Sequence, residues 1–498
     1  MDLFTPLSGL AGELCRPRTV GGAAGPADGG SDAEGEREVG IKRKGSYNPV
    51  KSKRAKEVSE GNESQPIYLP EGLEAVLDGV HQNGESDFDP VQALASTRHE
   101  FGEHGGVNMS VENSTTFTVM KPETMEKIFK GQLGPENGGT DGFYLYSRHF
   151  NPTVMVFSRQ MAAMEGTESA YCTASGMAAI ACSVLQAVKT GEHVVASNRL
   201  YGGTFALFHD LLPRMAGIHT TFVDIVDTGK VREALHSTGA KVLFLETMSN
   251  PTLVVPDLPV LAAMAHERGA KVIVDNTFAP LVVSPARFGA DVVIHSLTKF
   301  ISGGSDVIAG VVCSSAAFIQ ELMDLHMGTL MLLGATMNPA VASQLSGRLP
   351  HLALRMREHC HRAQVFAERL ADLGMRVVYP GLKSHSQHEI LARLRNRGYG
   401  WGGLLGLDLG SLDAANKLLD YLQNNSQFGL MAVSLGYHDT LMSCSGGSTS
   451  SEIPPDAQEE AGLSPGYVRV SVGFTGALEQ RWEQLHKALL DLKLIPGQ

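Results

Sequence analysis

A short apolar run, Val292 to Ile294, leads into His295-Ser296-Leu297-Thr298-Lys299. The run reads as a buried strand, so Lys299 stands just past a strand end beside two hydroxyls. An amine in that place becomes a nucleophile once its ammonium is partly desolvated. Ser296 and Thr298 are spaced to hydrogen-bond a phosphate. A second run, Val272 to Val274, ends in Asp275, 24 residues before Lys299. Parallel strands put their carboxyl ends on one rim, so Asp275 and Lys299 can face one pocket. A buried carboxylate is costly without a cation, and a protonated ring nitrogen is a suitable one.

Other stretches supply complementary chemistry. Ala174-Ser175-Gly176-Met177-Ala178 lies between a strand pattern and a helix pattern. The amides of Gly176 and Met177 therefore sit at a helix N-terminus, where free N–H groups and the dipole attract an anion. Tyr201, in Leu200-Tyr201-Gly202-Gly203-Thr204, is an aromatic at a strand–turn–helix junction, able to stack on a flat ring and to act as acid or base. Asn250 follows the strand pattern Val242 to Leu245 and reaches the same rim. In Tyr467-Val468-Arg469-Val470-Ser471-Val472 the valines take one face and Arg469 the other, suited to grip a carboxylate. Arg148, in Tyr146-Ser147-Arg148-His149, can grip a phosphate as lysine cannot. Taken singly, each has an ordinary structural alternative: a solvated lysine, a helix cap for Ser175 or Asp275, a packed rim tyrosine, a surface arginine. Together they are the parts needed to hold pyridoxal 5'-phosphate and an amino-acid substrate: Schiff-base lysine, ring-nitrogen carboxylate, phosphate cup, stacking aromatic and carboxylate-binding arginine.

The elements that must position these residues are legible in the periodicity. From about residue 152, helical spacing alternates with short apolar runs (170–173, 193–196, 221–225, 242–245, 272–274, 292–294). That alternation predicts an α/β fold with a mainly parallel sheet, which binds ligands at its strand carboxyl ends. After about 335 the pattern becomes long helices with a few strands (377–379, 404–409, 468–472), a smaller C-terminal α+β domain. Four segments are expected: a disordered tail over 1–88, an arm over 89–151, a cofactor-binding domain over 152–335 and a C-terminal domain over 336–498. The arm begins with an amphipathic stretch, Pro90 to Phe101. The tail is rich in Gly, Ala, Asp and Ser and carries two basic clusters within 42–56, a pattern open to reading as a nuclear address or as a solvated patch. The formal net charge of −12 argues against a nucleic-acid-coating protein. Six scattered cysteines without a CxxC pair suggest reduced thiols and no metal site. No run of about 18 apolar residues and no secretory leader pattern is evident, so a cytoplasmic protein is expected, with a nuclear fraction open.

The sequence resembles the Cys/Met-metabolism family of pyridoxal-phosphate enzymes over about residues 89–495. The motifs are YSRHFNPT (146–153), SGM (175–177), LYGGTF (200–205), VDNTFAP (274–280), HSLTKFISGG (295–304), SLG (434–436) and RVSVG (469–473). The resemblance implies a fold-type I architecture and assigns roles. Lys299 carries the cofactor and is the catalytic base, and Asp275 holds its ring nitrogen. Ser175, Gly176, Met177, Ser296 and Thr298 hold its phosphate, which Tyr146 and Arg148 reach from a neighbouring subunit. Tyr201 stacks on the ring and is the catalytic acid, Asn250 touches the ring oxygen, and Ser434 and Arg469 bind the substrate carboxylate. It further implies a homotetramer and a small sulfur amino acid as substrate. The implied reaction is α,γ-elimination of L-methionine; cleavage of cystathionine and thiol replacement on an activated homoserine are family alternatives. Four positions depart from common family patterns: Met248 for Pro, Gly203 for the Cys of bacterial relatives, Val433 for a Glu, and 441–452 in place of a His-containing loop.

Overall fold

The structure, a computed structural model, describes residues 88–135, 143–445, 454, 458 and 462–496, all within the compact unit Gln65–Gln498. The basic clusters at 42–56, all of the expected tail except Phe88, and residues 446–452 lie outside the described residues.

Seven strands form the larger sheet: β1 (Ser169–Thr173), β2 (His193–Ser197), β3 (His219–Val223), β4 (Val242–Glu246), β5 (Lys271–Asp275), β6 (Val292–Ser296) and β7 (Gly310–Ser314). Their order is β1-β7-β6-β5-β4-β2-β3. β3, β2, β4, β5 and β6 run parallel; β7 is antiparallel to both β6 and β1. Strands covered by helices on both faces must be apolar along their length. Accordingly Val242–Leu245, Val272–Val274 and Val292–Ile294 are all buried. The polar or charged residue closing each run then marks the carboxyl rim: Ser197, Glu246, Asp275 and Ser296.

Helix boundaries follow capping chemistry. Pro152–Glu165 starts where Asn151 accepts the amides of Thr153 and Val154, with Pro152 in its first turn, and stops at Gly166 with φ 70°. In the arm, the amphipathic stretch is helical only over Pro90–Ala95. Ser96 and Thr97 hydroxyls donate back to the carbonyls of Gln92 and Leu94, which ends the helix short of Phe101.

The smaller sheet contains β8 (Arg376–Val378), β9 (Leu404–Asp408), β10 (Leu430–Met431), β11 (Leu441–Cys444) and β12 (Tyr467–Ser471), ordered β10-β11-β12-β9-β8. β10 and β11 span only 2 and 4 residues, too short for an alternation to show in the sequence. In β12, Val468 and Val470 pack into the C-terminal core and Arg469 takes the other face. The 21-residue helix Leu352–Asp372 joins the two cores. Its first half, through Met356 and Cys360, packs in the larger core, and its second half, through Phe366 and Leu370, packs in the smaller one. That shared helix fixes β12 against the rim of the larger sheet.

Candidate active site

The rim of β2, β4, β5 and β6 opens into a cavity of about 250 Å³. Lys299 lies in the turn after β6 and projects into it. Its Nζ donates to Ser434 Oγ at 3.1 Å. Burial, reinforced by the Arg469 charge, holds the Lys299 ammonium below its ordinary pKa. The loop carrying Ser434 packs directly on the lysine turn. Gly436 has φ +75°, and a Cβ there would overlap the Phe300 backbone nitrogen, so glycine is needed on both counts.

Asp275 closes β5 one strand away. One carboxylate oxygen accepts the Thr277 amide at 2.9 Å, and burial raises the carboxyl pKa despite the Thr277 hydrogen bonds. The cup opposite is the N-terminus of the helix Gly176–Ala187. A Cβ on Gly176 would lie 2.8 Å from Ser296 Cβ, so glycine lets the helix end close on β6. Ser175 lines the cavity, and its hydroxyl oxygen accepts the Ala178 amide at 3.1 Å as the N-cap while its O–H keeps a proton to donate; Gly176 and Met177 line the same helix end. Ser296 and Thr298 line the same end. Thr298 also accepts the Ala309 amide at 3.1 Å.

At the other end Arg469 is 2% exposed. It donates to Asn250 Oδ1 at 3.0 Å and to the Ser434 carbonyl at 3.1 Å. Burial lowers its pKa to about 10, and no carboxylate pairs with it among the described residues. A buried guanidinium held only by neutral oxygens is a strong site for a carboxylate ligand. Tyr201 stands at the mouth, 40% exposed, with its ring against the cavity. Its place depends on Gly203, where a Cβ would come within 2.7 Å of the Tyr201 ring.

Thus Lys299, Asp275, Ser175, Gly176, Met177, Tyr201, Asn250, Ser296, Thr298 and Arg469 meet at one cavity, with Ser434 on Lys299. Tyr146 and Arg148 do not. Arg148 donates to the Met331 carbonyl at 2.8 Å, and Tyr146 is exposed. Further residues complete the wall. Thr277 anchors both Asp275 and the Ser296 amide, Met248 and Ile308 add apolar surface, and Glu246 is buried beside Asp275, its register partner. The signal for Glu246 was the same as for Asp275, an acid closing an apolar run. Strand pairing begins at Gly310, so Ile308 lies ahead of β7 and borders the cavity.

The donor set fits pyridoxal phosphate on three observations: an amine past one strand, a buried carboxylate past the next, and a glycine-lined helix N-terminus between two hydroxyls. These features, on this sheet, define a fold-type I pyridoxal-phosphate enzyme. The family model for Cys/Met metabolism PLP-dependent enzymes matches residues 91–489, and the chain belongs to that family. It is 61% identical over 404 residues to the methionine γ-lyase of Arabidopsis thaliana, covering 81% of this chain and 91% of that protein. It is 36% identical over 344 residues to the cystathionine β-lyase of Coxiella burnetii, covering 68% and 86%. Among solved structures, cystathionine γ-synthase from Xanthomonas oryzae pv. oryzae in complex with cystathionine superposes with a TM-score of 0.72 at 28% identity, covering 82% of this chain and 99% of that one.

Proposed function

We propose that this chain is a pyridoxal-phosphate-dependent methionine γ-lyase. The reaction converts L-methionine and water to methanethiol, 2-oxobutanoate and ammonia. The observation that carries the substrate assignment is the 61% identity to the Arabidopsis enzyme across nearly its whole length. Exposed Val433 beside Ser434, in place of a Glu, favours an apolar thioether over the charged arm of cystathionine.

The cofactor, when bound, supplies an electron sink for the bonds around the substrate Cα. The chain's own residues do the rest. Lys299 binds it, and Asp275 keeps a proton on its ring nitrogen. The Gly176 and Met177 amides with Ser296 and Thr298 hold its phosphate, and Asn250 meets its ring oxygen. Arg469 and Ser434 anchor the substrate carboxylate. The Lys299 amine, favoured by its lowered pKa, would take the Cα proton, return it to the carbon framework that the bound cofactor holds, and, neutral again, take a Cβ proton. The Tyr201 hydroxyl gives a proton to the departing thiolate sulfur. Purified, cofactor-loaded protein supplied separately with methionine, cystathionine, cysteine and O-acylhomoserine tests the reading. Methanethiol and 2-oxobutanoate from methionine support it. Turnover confined to cystathionine or to thiol replacement would sink it.

Arg148 and Tyr146 lie outside their own chain's cavity, which supports a shared site in which both reach the neighbouring subunit's phosphate cup, within a homotetramer of such dimers. We place the protein in the cytoplasm, with a nuclear fraction through 42–56. Imaging a chain without residues 1–60 tests that: unchanged distribution removes the role of the tail.

A further inference from the structure

Glu246 closes β4 and is 7% exposed. Its two carboxyl oxygens have separate tasks. Oε1 accepts the Tyr201 amide at 2.7 Å, and Oε2 accepts the Asn250 amide at 2.8 Å. Those amides belong to different loops, one after β2 and one after β4. From Asn250 the path continues: its Oδ1 accepts from Arg469, Arg469 donates to the Ser434 carbonyl, and the Ser434 hydroxyl accepts from Lys299. A series of hydrogen-bonded residues therefore links Tyr201 through Glu246, Asn250, Arg469 and Ser434 to Lys299, passing through the covalent frames of Asn250 and Ser434.

We propose that Glu246 is a positioning residue that sets Tyr201 at a fixed distance from the carboxylate-anchoring Arg469, so that the leaving group of a bound amino acid meets the Tyr201 hydroxyl. The inference rests on the roles proposed above for Tyr201 and Arg469. Its logic is geometric. An amino acid anchored by its carboxylate presents its leaving sulfur several bonds away, and an acid misplaced by about 1 Å loses roughly a hundredfold in rate. Strand-end loops are the least constrained parts of such a sheet. A rigid carboxyl group spanning two of them, fixed by β4 behind, removes that freedom. A purely structural Glu246 would only satisfy two buried amides, and its loss would appear as lowered stability.

The test compares cofactor-loaded, full-length wild type with Glu246→Gln, in wild-type and Tyr201→Phe backgrounds. Glutamine keeps the length and one acceptor oxygen, but its NH2 cannot accept the second amide. Glu246→Gln is expected to lower kcat for methionine by roughly 10- to 100-fold. Glycine has a carboxylate and no leaving group, so its affinity, read from the visible absorbance of the bound cofactor, should stay within about threefold. In the Tyr201→Phe background the Glu246→Gln loss should shrink to about threefold or less, because both act through one group. Wild-type kcat in Glu246→Gln, an undiminished loss in the Tyr201→Phe background, or a glycine affinity falling in step with kcat overturns the proposal. If Glu246→Gln does not fold, Glu246→Asp, one methylene short, takes its place under the same criteria. If wild type turns over a different sulfur amino acid, the comparison runs on that one, so failure of the substrate assignment is read separately.

Discussion

Lys299 Nζ donates to Ser434 Oγ at 3.1 Å across a sequence separation of 135 residues. The contact joins the larger sheet, which supplies the amine, to the loop before β11, which shapes the substrate end. Burial next to Arg469 keeps the amine below its ordinary pKa, which suits both roles proposed for Lys299, base and attachment point.

Replacing Lys299 by Ala removes both tasks. Turnover should fall by roughly a thousandfold or more, the scale of a lost proton-transfer group. The absorbance of covalently held cofactor should vanish with it. A variant with wild-type turnover would end the scheme.

Arg469→Lys keeps a charge but loses the planar fork whose two separate nitrogens donate to Asn250 and Ser434. KM for methionine should rise roughly 10- to 100-fold, the scale of one lost charged hydrogen bond. Steady-state kinetics on the loaded protein measures it; an unchanged KM would take the substrate carboxylate away from Arg469.

Gly203→Ala puts a methyl where the Tyr201 ring now lies. The ring must shift, and kcat should drop by about tenfold or more with a nearly unchanged unfolding temperature. Gly436→Ala behaves oppositely. Its positive φ and overlap with Phe300 should cost about 1–3 kcal/mol, visible as an earlier thermal unfolding transition.

Mixing tests the shared site. Lys299→Ala protein and Arg148→Ala protein should each be nearly inactive alone. Hybrids formed by unfolding and refolding them together hold one intact site per mixed pair, so activity should return. No recovery would confine Arg148 to its contact with Met331 in its own chain.

The pH dependence of stability has a definite sign. Burial and the neighbouring Asp275 push Glu246 up to about 8 in the cofactor-free protein. A carboxyl whose folded pKa is raised contributes stability that is present below its ordinary pKa near 4.5 and is lost as pH rises through about 8. Thermal unfolding of cofactor-free wild type and Glu246→Gln between pH 5 and 9 should show wild type losing ground to the variant up to about pH 8 and levelling off above it. A constant difference would mean Glu246 does not titrate in that window.

Much of this site was legible before any coordinates. An apolar run buried on both faces leaves a polar side chain exposed to a ligand only where the run ends, and that rule exposed Asp275, Ser296 and Lys299. The same rule applies to Glu246, which closes the run Val242–Leu245. Alternation within Tyr467–Val472 separated Arg469 from the valines of the core. Local spacing carries such information because it reflects a strand period of two.

What the sequence by itself determined is the set of chemical groups and the class of sheet that bears them. What only the tertiary structure decided is who meets whom. Ser434 reaches Lys299 because Gly436 lets its loop lie on Phe300. Arg469 reaches Asn250 because one helix, Leu352–Asp372, is packed into both cores. Glu246 holds two loops because β2 and β4 are neighbours in the sheet. Ser175 both lines the cavity and caps the helix behind it, its hydroxyl oxygen accepting the Ala178 amide. Each of these is a contact between segments far apart in the chain, fixed by close packing of side chains, and no periodicity in the sequence records such a contact.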